Sequence, residues 1–410
     1  MKAIFFNWHY RLLFLFLTTL SFNCSNDPIT SSLENSLLQL DTMSISSIDI
    51  ENYTVYPNIG LNSRLYLGKK NQIEAPYTFI KMTNPSPVNY WYILNDTNVT
   101  VDSIRFMVFS EDSTLNEDAL PNLYYSPDSH FNENKSTYLD FEDFSFPNWL
   151  DLGIPSLIEE LDDSSNFINT KLVWSLDSFR TALFDTTDSN FTRTFGMQLP
   201  STDSNFIELF SEEAGYQTTD PKVLIYYRFE STSSDTTVFD TTYRTIYSSS
   251  DLSVIKLNQN LVDTSKICLS NGLGLRAKVY ASISDEFLPV GSLIKSANLI
   301  LPIDSTNSEN NYMLILDPIK VDSSSSDPYN VYLQDPYESY GFPYRISNLT
   351  TNLSFTVSVK EYLQNLLVDN VSSLGFKIVA DENNDPFESS WIKLSEDTMK
   401  PTIEIIYVKK

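Results

Sequence analysis

Two stretches of the sequence share one pattern: FSEEAGYQTTDPKVLIYY at residues 210–227 and LSEDTMKPTIEIIYV at residues 394–408. Each runs from Ser and two acidic residues, through a short polar link and a Pro, into a segment with apolar residues at every second position. When Pro221 is aligned with Pro401, the apolar positions of the two segments fall in the same phase. Alternation with period two is typical of a β-strand with one buried face. The sequence therefore predicts the same strand at the end of two related units.

The similarity continues upstream of both strands. LVWSLDSFRTALFD (172–185) corresponds to FTVSVKEYLQNLLVD (355–369), and each predicts a short strand followed by one or two helical turns. FGMQLP (195–200) and LGFKIV (374–379) then follow as strands that contain Gly. Because several elements match in the same order, the sequence indicates a duplicated domain.

Two further pairs complete the predicted repeat. VDSIRFMVFS (101–110) matches IKSANLILPI (294–303), and SRLYLG (63–68) is paired with GLRAKVYA (274–281) as the opening strand of each unit. Many short strands, few Gly and one brief helix per unit predict an all-β fold of two tandem antiparallel β-sandwiches, similar to jelly rolls.

The predicted organisation has five parts. They are a signal peptide at 1–23, a flexible tether at 24–49, a first β-sandwich at 50–230, a connecting segment at 231–251 and a second β-sandwich at 252–410. Alternating apolar residues in the connecting segment could add a strand or a hairpin.

Composition and charge narrow the class of protein. Hydrophobic residues make up 41% and aromatic residues 13% of the 410 residues, which excludes a chain that is disordered throughout. The net charge of −26 argues against a nucleic-acid partner, because such binding depends on Lys and Arg neutralising phosphates. The same acidic surface argues against binding anionic lipids through the folded part.

The first residues have the pattern of an export signal. Lys2 and Arg11 precede an apolar run at residues 12–20, which is too short to span a bilayer comfortably. Cys24 follows and resembles the lipidated cysteine of bacterial lipoproteins, although Phe22 and Asn23 depart from the usual pattern before that cysteine. The resemblance implies a bacterial protein of the outer membrane or cell surface that is held by a lipid anchor. The alternative is an ordinary signal peptide with an incidental Cys.

The order of elements in the second unit resembles the DNRLRE-type domain, an all-β module of bacterial secreted and surface proteins. The segments that carry the resemblance are SANLIL (296–301), VSVKEYLQNLL (357–367), LGFKI (374–378), SSWIKLSED (389–397) and KPTIEIIYV (400–408). Some members of that family are carbohydrate-binding modules, so the resemblance implies a binding role rather than catalysis.

Residues for catalysis are scarce in the sequence. Once a signal peptide is removed, His130 is the remaining histidine, and Cys268 lies in an apolar run that predicts a core residue. The repeated SEE (211–213) and SED (395–397) are interpreted as turns before the final strand of each unit. Hydrolysis by a carboxylate pair stays open as the enzyme alternative.

Aromatic loops are the candidates for ligand binding. Tyr rings beside Asp, Asn and Arg suit sugars, whose C–H faces stack on rings while their hydroxyls bond to polar groups. The candidates are Tyr329, Tyr332, Tyr337, Tyr340, Tyr344 and Arg345 in one loop, with Trp91 and Trp149 in the first unit. The alternative is that these rings cover the ends of the sandwiches.

No cofactor is predicted, but oxygen-rich loops could hold a structural calcium ion. In DENND, Asp381, Asn383 and Asp385 have the opening spacing of a calcium loop, but Pro386 stands where such a loop has Gly. The sequence thus favours a non-catalytic exported surface protein with possible carbohydrate binding. The alternative is a structural or adhesion protein that docks a partner without a small ligand.

Overall fold

The computed structural model describes residues 39–71, 73–83, 90–128, 130–184, 192–200, 205–215, 218–233, 236–256, 266–282, 288–289, 291–324, 335–341, 344–369, 373–394 and 399–409. The predicted signal peptide and Cys24 lie outside these residues. None of the helices in the described part of the chain has the length and apolar character that crossing a bilayer requires.

The described residues form an all-β protein, which confirms the predicted fold class. The strands are β1 (Gln39–Ile45), β2 (Ile48–Thr54), β3 (Arg64–Lys70), β4 (Ile73–Thr83), β5 (Val99–Ser110), β6 (Asn122–Ser126), β7 (Leu150–Gly153), β8 (Ser156–Leu161), β9 (Phe167–Ser175), β10 (Thr192–Gln198), β11 (Phe206–Phe210), β12 (Lys222–Ser233), β13 (Thr236–Lys256), β14 (Lys266–Leu269), β15 (Leu275–Ser282), β16 (Leu293–Pro302), β17 (Met313–Ser324), β18 (Tyr337–Ser339), β19 (Ile346–Leu349), β20 (Ser354–Ser358), β21 (Ser373–Ala380), β22 (Ser390–Lys393) and β23 (Thr402–Lys409).

Helices are short. The α-helices are α1 (Arg180–Leu183) and α2 (Lys360–Val368), and the 3₁₀ helices are Tyr90–Asn95, Glu117–Ala119, Tyr138–Phe141, Asp177–Phe179 and Glu212–Ala214. Each α-helix follows the strand after which it was predicted. Leu183 of α1 and Leu366 of α2 are buried, so each helix packs an apolar side against its sandwich core.

Each sandwich has a back sheet and a front sheet. The back sheets are β13-β12-β5-β9-β8 and β1-β23-β16-β20. The front sheets are β7-β6-β10-β4-β13, with β3 beside β4 and β11 beside β3, and β18-β17-β21-β15-β2, with β19 beside β17. Core side chains of the first sandwich include Phe106 and Trp174 from its back sheet and Phe195 from its front sheet.

The duplication is visible in the register of the back sheets. β12 lies between β13 and β5, and β23 lies between β1 and β16. The residues aligned from the sequence occupy equivalent positions in these two central strands. Val223 is opposite Phe106 and Ile246, and Ile403 is opposite Leu299 and Ile45. Both sheets also have an irregular register at one matched position, Asp102 in β5 and Lys295 in β16.

The two sandwiches exchange their first strands. We call residues 39–54 (β1 and β2) the first lead segment and residues 236–256 (β13) the second lead segment. The first lead segment precedes the first sandwich in the chain, yet β1 pairs with β23 and β2 pairs with β15 in the second sandwich. The second lead segment pairs with β12 and then with β4 in the first sandwich. Each lead segment thus passes from the back sheet to the front sheet of the other unit.

This exchange corrects the predicted boundaries. The tether at 24–49 is wrong for residues 39–49, which are paired in strands, and the first sandwich does not begin at residue 50 because β2 belongs to the second. The connecting segment at 231–251 is strand throughout its described part, which confirms the hairpin that its alternation allowed. Its Ser and Thr content resembles a linker because much of the β12–β13 ribbon is exposed on its surface.

The predicted opening strands were matched incorrectly. SRLYLG lies in β3, which pairs with β11, and its counterpart is β14, which pairs with β22. GLRAKVYA lies in β15, whose counterpart is β4, because β15 and β4 pair with the matched Gly strands β21 and β10. β15 alternates buried and partly buried positions, whereas β3 and β14 each bury at least three consecutive residues.

An apolar cluster joins the two sandwiches. The ring of Phe387, from the second sandwich, lies 4.9 Å from that of Tyr66 and 4.8 Å from that of Phe206, both from the first, measured between ring centroids. Ile73 and Cys268 are buried in the same cluster. Burial raises the pKa of the Cys268 thiol to about 12, so the prediction that it is an unreactive core residue agrees with its position.

Aromatic residues cover the outer face of the front sheet in the first sandwich. The segment after β6 lays Phe131, Phe141, Phe146 and Trp149 over Phe79 of β4, whose ring is fully buried. The ring of Phe141 stacks on that of Phe79 with centroids 4.7 Å apart. The long insertion in the first unit therefore closes this face as a second small core.

Candidate functional site: a polar cleft on the second sandwich

The outer face of the front sheet is polar in the second sandwich. In β15, Ala277 and Val279 point into the core, so Arg276 and Lys278 point outward. One row across this face holds a charged residue from each of four neighbouring strands, in the order Asp317, Lys377, Lys278 and Glu51. The ammonium of Lys278 lies 2.8 Å from the carboxylate of Glu51. Acidic and basic groups are thus held at fixed spacing by the sheet.

A cleft with a volume of about 540 Å³ opens on this face. One wall is the loop between β2 and β3, and the floor is formed by β17, β21 and the start of β15. Its polar lining includes Asn58, Asn62, Arg276, Asp317, Asp335 and Arg345. The apolar side chains Ile59, Ile315 and Val379 lie among these groups. A concave surface of this size with a few convergent polar groups is typical of a small-ligand site.

Asp335 is the centre of the hydrogen-bond network beside the cleft. Its Oδ2 accepts hydrogen bonds of 2.7 Å from both Arg276 and the hydroxyl of Tyr53, and lies 3.3 Å from the ammonium of Lys377. Its Oδ1 accepts from the backbone N–H of Tyr337 at 3.0 Å. Burial by itself would raise the pKa of Asp335, but Arg276 and Lys377 hold that pKa below its ordinary value. The carboxylate is therefore charged and fixed at neutral pH.

The neighbouring groups are held in the same way. The ammonium of Lys377 donates to the carbonyl of Tyr337 at 3.0 Å, and Ser339 donates to Asp317. The loop wall is fastened as well, since the amide of Asn62 donates to the carbonyls of Glu382 and Asn384 at 3.3 and 3.5 Å. The cleft is preformed, and Arg345 is exposed at its edge.

The predicted sugar-binding residues separate into groups. Arg345 lines the cleft, and the ring of Tyr337 lies beside Asp335, 4.9 Å from the ring of Tyr53. Tyr340 and Tyr344 lie outside the cleft, and each packs against the ring of Tyr362 in α2. Tyr329 and Tyr332 lie outside the described residues.

The two candidate tryptophans of the first sandwich pack against other side chains of that sandwich. Trp91 is 1% exposed and packs in the core, so the prediction that it binds sugar is wrong, because a buried indole offers no face to a ligand. Trp149 belongs to the aromatic cover, with its ring 5.9 Å from Phe79 and 4.6 Å from His130. These two rings fit the alternative that aromatic residues close the sandwich.

The DENND segment forms a hydrogen-bonded turn. Asp381 accepts from the backbone and side-chain N–H groups of Asn383 at 3.0 and 2.7 Å. Asp385 lies 3.3 Å from the ammonium of Lys70, which belongs to the first sandwich. The three predicted calcium ligands thus have partners within the chain, and they fasten the turn and the contact between the sandwiches.

The residues of the cleft floor were not among the predicted site residues. Arg276 and Lys377 lie on strands and Asp335 lies just before one, whereas the predicted sugar-binding residues were placed in loops. A signal was present in LRAKVY, where basic residues occupy alternate positions of a predicted strand. Two charges on one face of a strand indicate that this face is open to solvent or to a ligand.

Comparisons with known proteins identify no relative. No protein-family model matches the chain, and no curated protein matches it. Among solved structures, one match is titled "Biofilm associated protein - B domain", with 9% sequence identity, coverage of 85% of this chain and 72% of that chain, and a TM-score of 0.18. At this TM-score the two backbones do not superpose as whole chains, so the match carries no argument about function.

Proposed function

We propose that this protein is a non-catalytic, exported surface protein that binds carbohydrate in the cleft of the second sandwich. The observation that carries the proposal is the preformed polar cleft, whose volume of about 540 Å³ accommodates one or two sugar rings. The resemblance to DNRLRE-type domains and the lipoprotein-like Cys24 support placement at the outer membrane or cell surface of a bacterium.

The chemistry of the cleft suits a polyol. Sugar hydroxyls both donate and accept, and the cleft offers the carboxylate of Asp317 as an acceptor and the guanidinium of Arg345 as a donor. Ile59 and Ile315 give apolar contact for C–H faces. Because the floor groups are fixed by strands and by their own hydrogen bonds, little side-chain entropy is lost when a ligand binds.

The test is binding of the full chain to a glycan array, followed by calorimetric titration with the best oligosaccharide. Arg345→Ala is expected to weaken binding at least about tenfold, because it removes one charged hydrogen-bond donor, worth about 1.5–3 kcal/mol. Tyr337→Ala is expected to weaken binding if its ring stacks on the sugar.

Tyr340→Ala is the matched control, since Tyr340 is an exposed tyrosine of the same segment that packs near α2. Its affinity should equal that of the unaltered chain. The proposal is wrong if no glycan binds, or if Arg345→Ala and Tyr337→Ala both bind as tightly as the control.

A structural or adhesive role without a small ligand is the second candidate. It is supported by the strand exchange, which ties the two sandwiches together by β-ladders as well as by the apolar cluster. Such a protein should mediate cell attachment, and attachment should be unaffected by Arg345→Ala. Carboxylate-pair hydrolysis, the enzyme alternative, predicts release of reducing ends from soluble polysaccharides during long incubation.

A further inference from the structure

Three carboxylate side chains from distant parts of the chain meet in the first sandwich. Glu133 lies in the segment after β6, Glu213 in the 3₁₀ helix after β11, and Asp251 in β13 of the second lead segment. One oxygen of each carboxylate lies within 4.8 Å of the corresponding oxygen of the other two. This is a different place from the DENND turn and from the cleft.

Asp251 occupies a position that faces the core. It stands opposite Ile80, whose side chain belongs to the core of the first sandwich, and neighbours in an antiparallel pair point to the same face. The matched residue of the first lead segment is Ile48, opposite Ala281. Asp251 is fully buried. An acid therefore replaces an apolar residue at an equivalent core-facing position.

Two buried oxygen atoms of this cluster have no hydrogen-bond partner among the described residues. Asp251 Oδ2 accepts from the backbone N–H of Glu212 at 2.8 Å, but its Oδ1 has no hydrogen-bond partner among the described residues. The same holds for Glu213 Oε2. Glu133 Oε1 accepts from the backbone N–H of Asp251 at 2.8 Å, which fixes the third carboxylate against the strand. A buried oxygen left without a donor is costly unless something else binds it.

Further carboxylates lie close to these oxygen atoms. The charges of Glu213, Glu133 and Glu212 act on Asp251, and the charge of Asp220 acts on Glu213. Lys81, whose charge acts on Glu133, donates its ammonium to the carbonyl of Phe131 at 2.5 Å. A bound cation would balance the remaining charge.

We propose that Glu133, Glu213 and Asp251 bind one calcium ion. All three donors are hard oxygen ligands, which Ca²⁺ prefers, and no soft ligand is part of the group. With Ca–O distances of about 2.3–2.6 Å, ligands on opposite sides of the ion are about 4.6–5.2 Å apart. Three oxygen atoms within 4.8 Å of one another can therefore share one ion, with water and carbonyl groups completing its shell.

The ion fastens three segments that no β-ladder joins directly. It links the second lead segment to the turn before β12 and to the segment that begins the aromatic cover. The backbone carbonyl of Glu133 also accepts from the side chain of Asn58 at 2.8 Å, and Asn58 lines the cleft. Calcium therefore stiffens one wall of the cleft as well as the first sandwich.

The experiment compares thermal unfolding of the chelator-treated full chain in CaCl₂ and in MgCl₂. Millimolar calcium is expected to raise the Tm by about 5 °C, because a ligand that binds only the folded state stabilises it. Magnesium should give a smaller shift, since Mg²⁺ requires near-ideal octahedral geometry and gives up its bound water reluctantly.

Asp251→Asn should abolish the calcium shift and raise the Tm of the metal-free chain, because it removes one of three repelling charges. Glu213→Gln is a second variant with the same expected loss, should Asp251→Asn fail to fold. Asp220→Asn and Asp381→Asn are matched controls that keep the shift, the first a neighbouring acid outside the group of three and the second in the DENND turn. Equilibrium dialysis with radioactive calcium should show one ion fewer per chain for Asp251→Asn than for Asp220→Asn.

Three results would overturn the assignment. In the first, calcium does not change the Tm and the Tm rises as the pH falls, which would mean that Glu133, Glu213 and Asp251 bind protons instead of a cation. Another is an equal shift with magnesium, and the last is an unchanged calcium shift in both Asp251→Asn and Glu213→Gln.

Discussion

The outer faces of the two front sheets differ although the sheets are built alike. In the first sandwich Phe79 and Tyr77 of β4 lie under aromatic rings, and Val254 opposite Tyr77 is buried. The matched positions of the second sandwich hold Lys278 opposite Glu51, joined by an ion pair. One plan thus carries an apolar face covered by aromatic rings and a charged face joined by ion pairs. Function on this scaffold is decided by the outward residues and the insertions, while the strand pattern stays constant.

The largest difference between the faces should appear at Phe79 and its counterpart Tyr280, both opposite the matched glycines. Phe79→Ala is expected to lower the free energy of unfolding by about 3–5 kcal/mol, because it leaves a cavity among packed rings. Tyr280→Ala, on the charged face of the second sandwich, should lower the free energy of unfolding by about 1 kcal/mol. Urea denaturation followed by tryptophan fluorescence measures both, and equal costs would show that the second face is covered too.

A smaller effect is expected at Asp335, which has no equivalent under the aromatic cover. Asp335→Ala should cost about 3 kcal/mol, because Arg276 and Lys377 would be left as half-buried cations without their carboxylate. The measurement is again urea denaturation at pH 7. A cost under about 1 kcal/mol would mean that the network is solvated and that the cleft floor is not rigid.

The carboxylate of Asp335 also makes the free energy of unfolding depend on pH. The folded pKa of Asp335 lies below its unfolded value of about 3.9, so its contribution is fully present above that pH. It is lost as the pH falls through the folded value. The stability difference between the unaltered chain and Asp335→Asn should therefore shrink below about pH 4, and a constant difference would contradict this.

The smallest effects should come from the matched glycines, Gly196 and Gly375. A Cβ at Gly196 would lie 2.5 Å from the ring of Phe146, whereas one at Gly375 would lie 3.0 Å from Tyr280 and Ile319. Gly196→Ala should cost about 2 kcal/mol because the cover must shift, and Gly375→Ala under about 1 kcal/mol. Thermal unfolding of the two variants tests this, and the reverse order would place the tighter packing on the second face.

Sequence alone predicted much of the fold because the repeat is recorded in the alternation of buried residues. The aligned pairs Phe106 with Leu299 and Val223 with Ile403 occupy equivalent register positions. The strand exchange could not be predicted, since either lead segment satisfies the same alternation and chain order does not determine which sandwich it joins. Period two identifies a buried face but not the neighbour across it.

The candidate sites were harder to predict for a related reason. Arg345 and Tyr337 were recognised because aromatic and charged residues are dense in their segment. The cleft floor depends on Asp335 meeting Arg276, and the calcium group on Glu133 meeting Asp251, contacts between residues that lie far apart in the sequence. The SEE segment (211–213) was correctly interpreted as a turn, with Ser211 accepting from the N–H of Glu213, but its buried carboxylate had no signature in the pattern. SED (395–397) lies outside the described residues.

The strand exchange also sets an order for folding during synthesis. By the time residue 256 is made, all strands of the first sandwich have been translated. The second lead segment, which pairs with β12 and β4, is among them, so the first sandwich can fold. The first lead segment is translated earlier, but Ile45 meets Ile403 only after more than 350 further residues, when the final strand is made. The first lead segment therefore stays unpaired on the nascent chain, with apolar side chains exposed, while a complete domain folds beside it. We expect a chaperone to act on this segment.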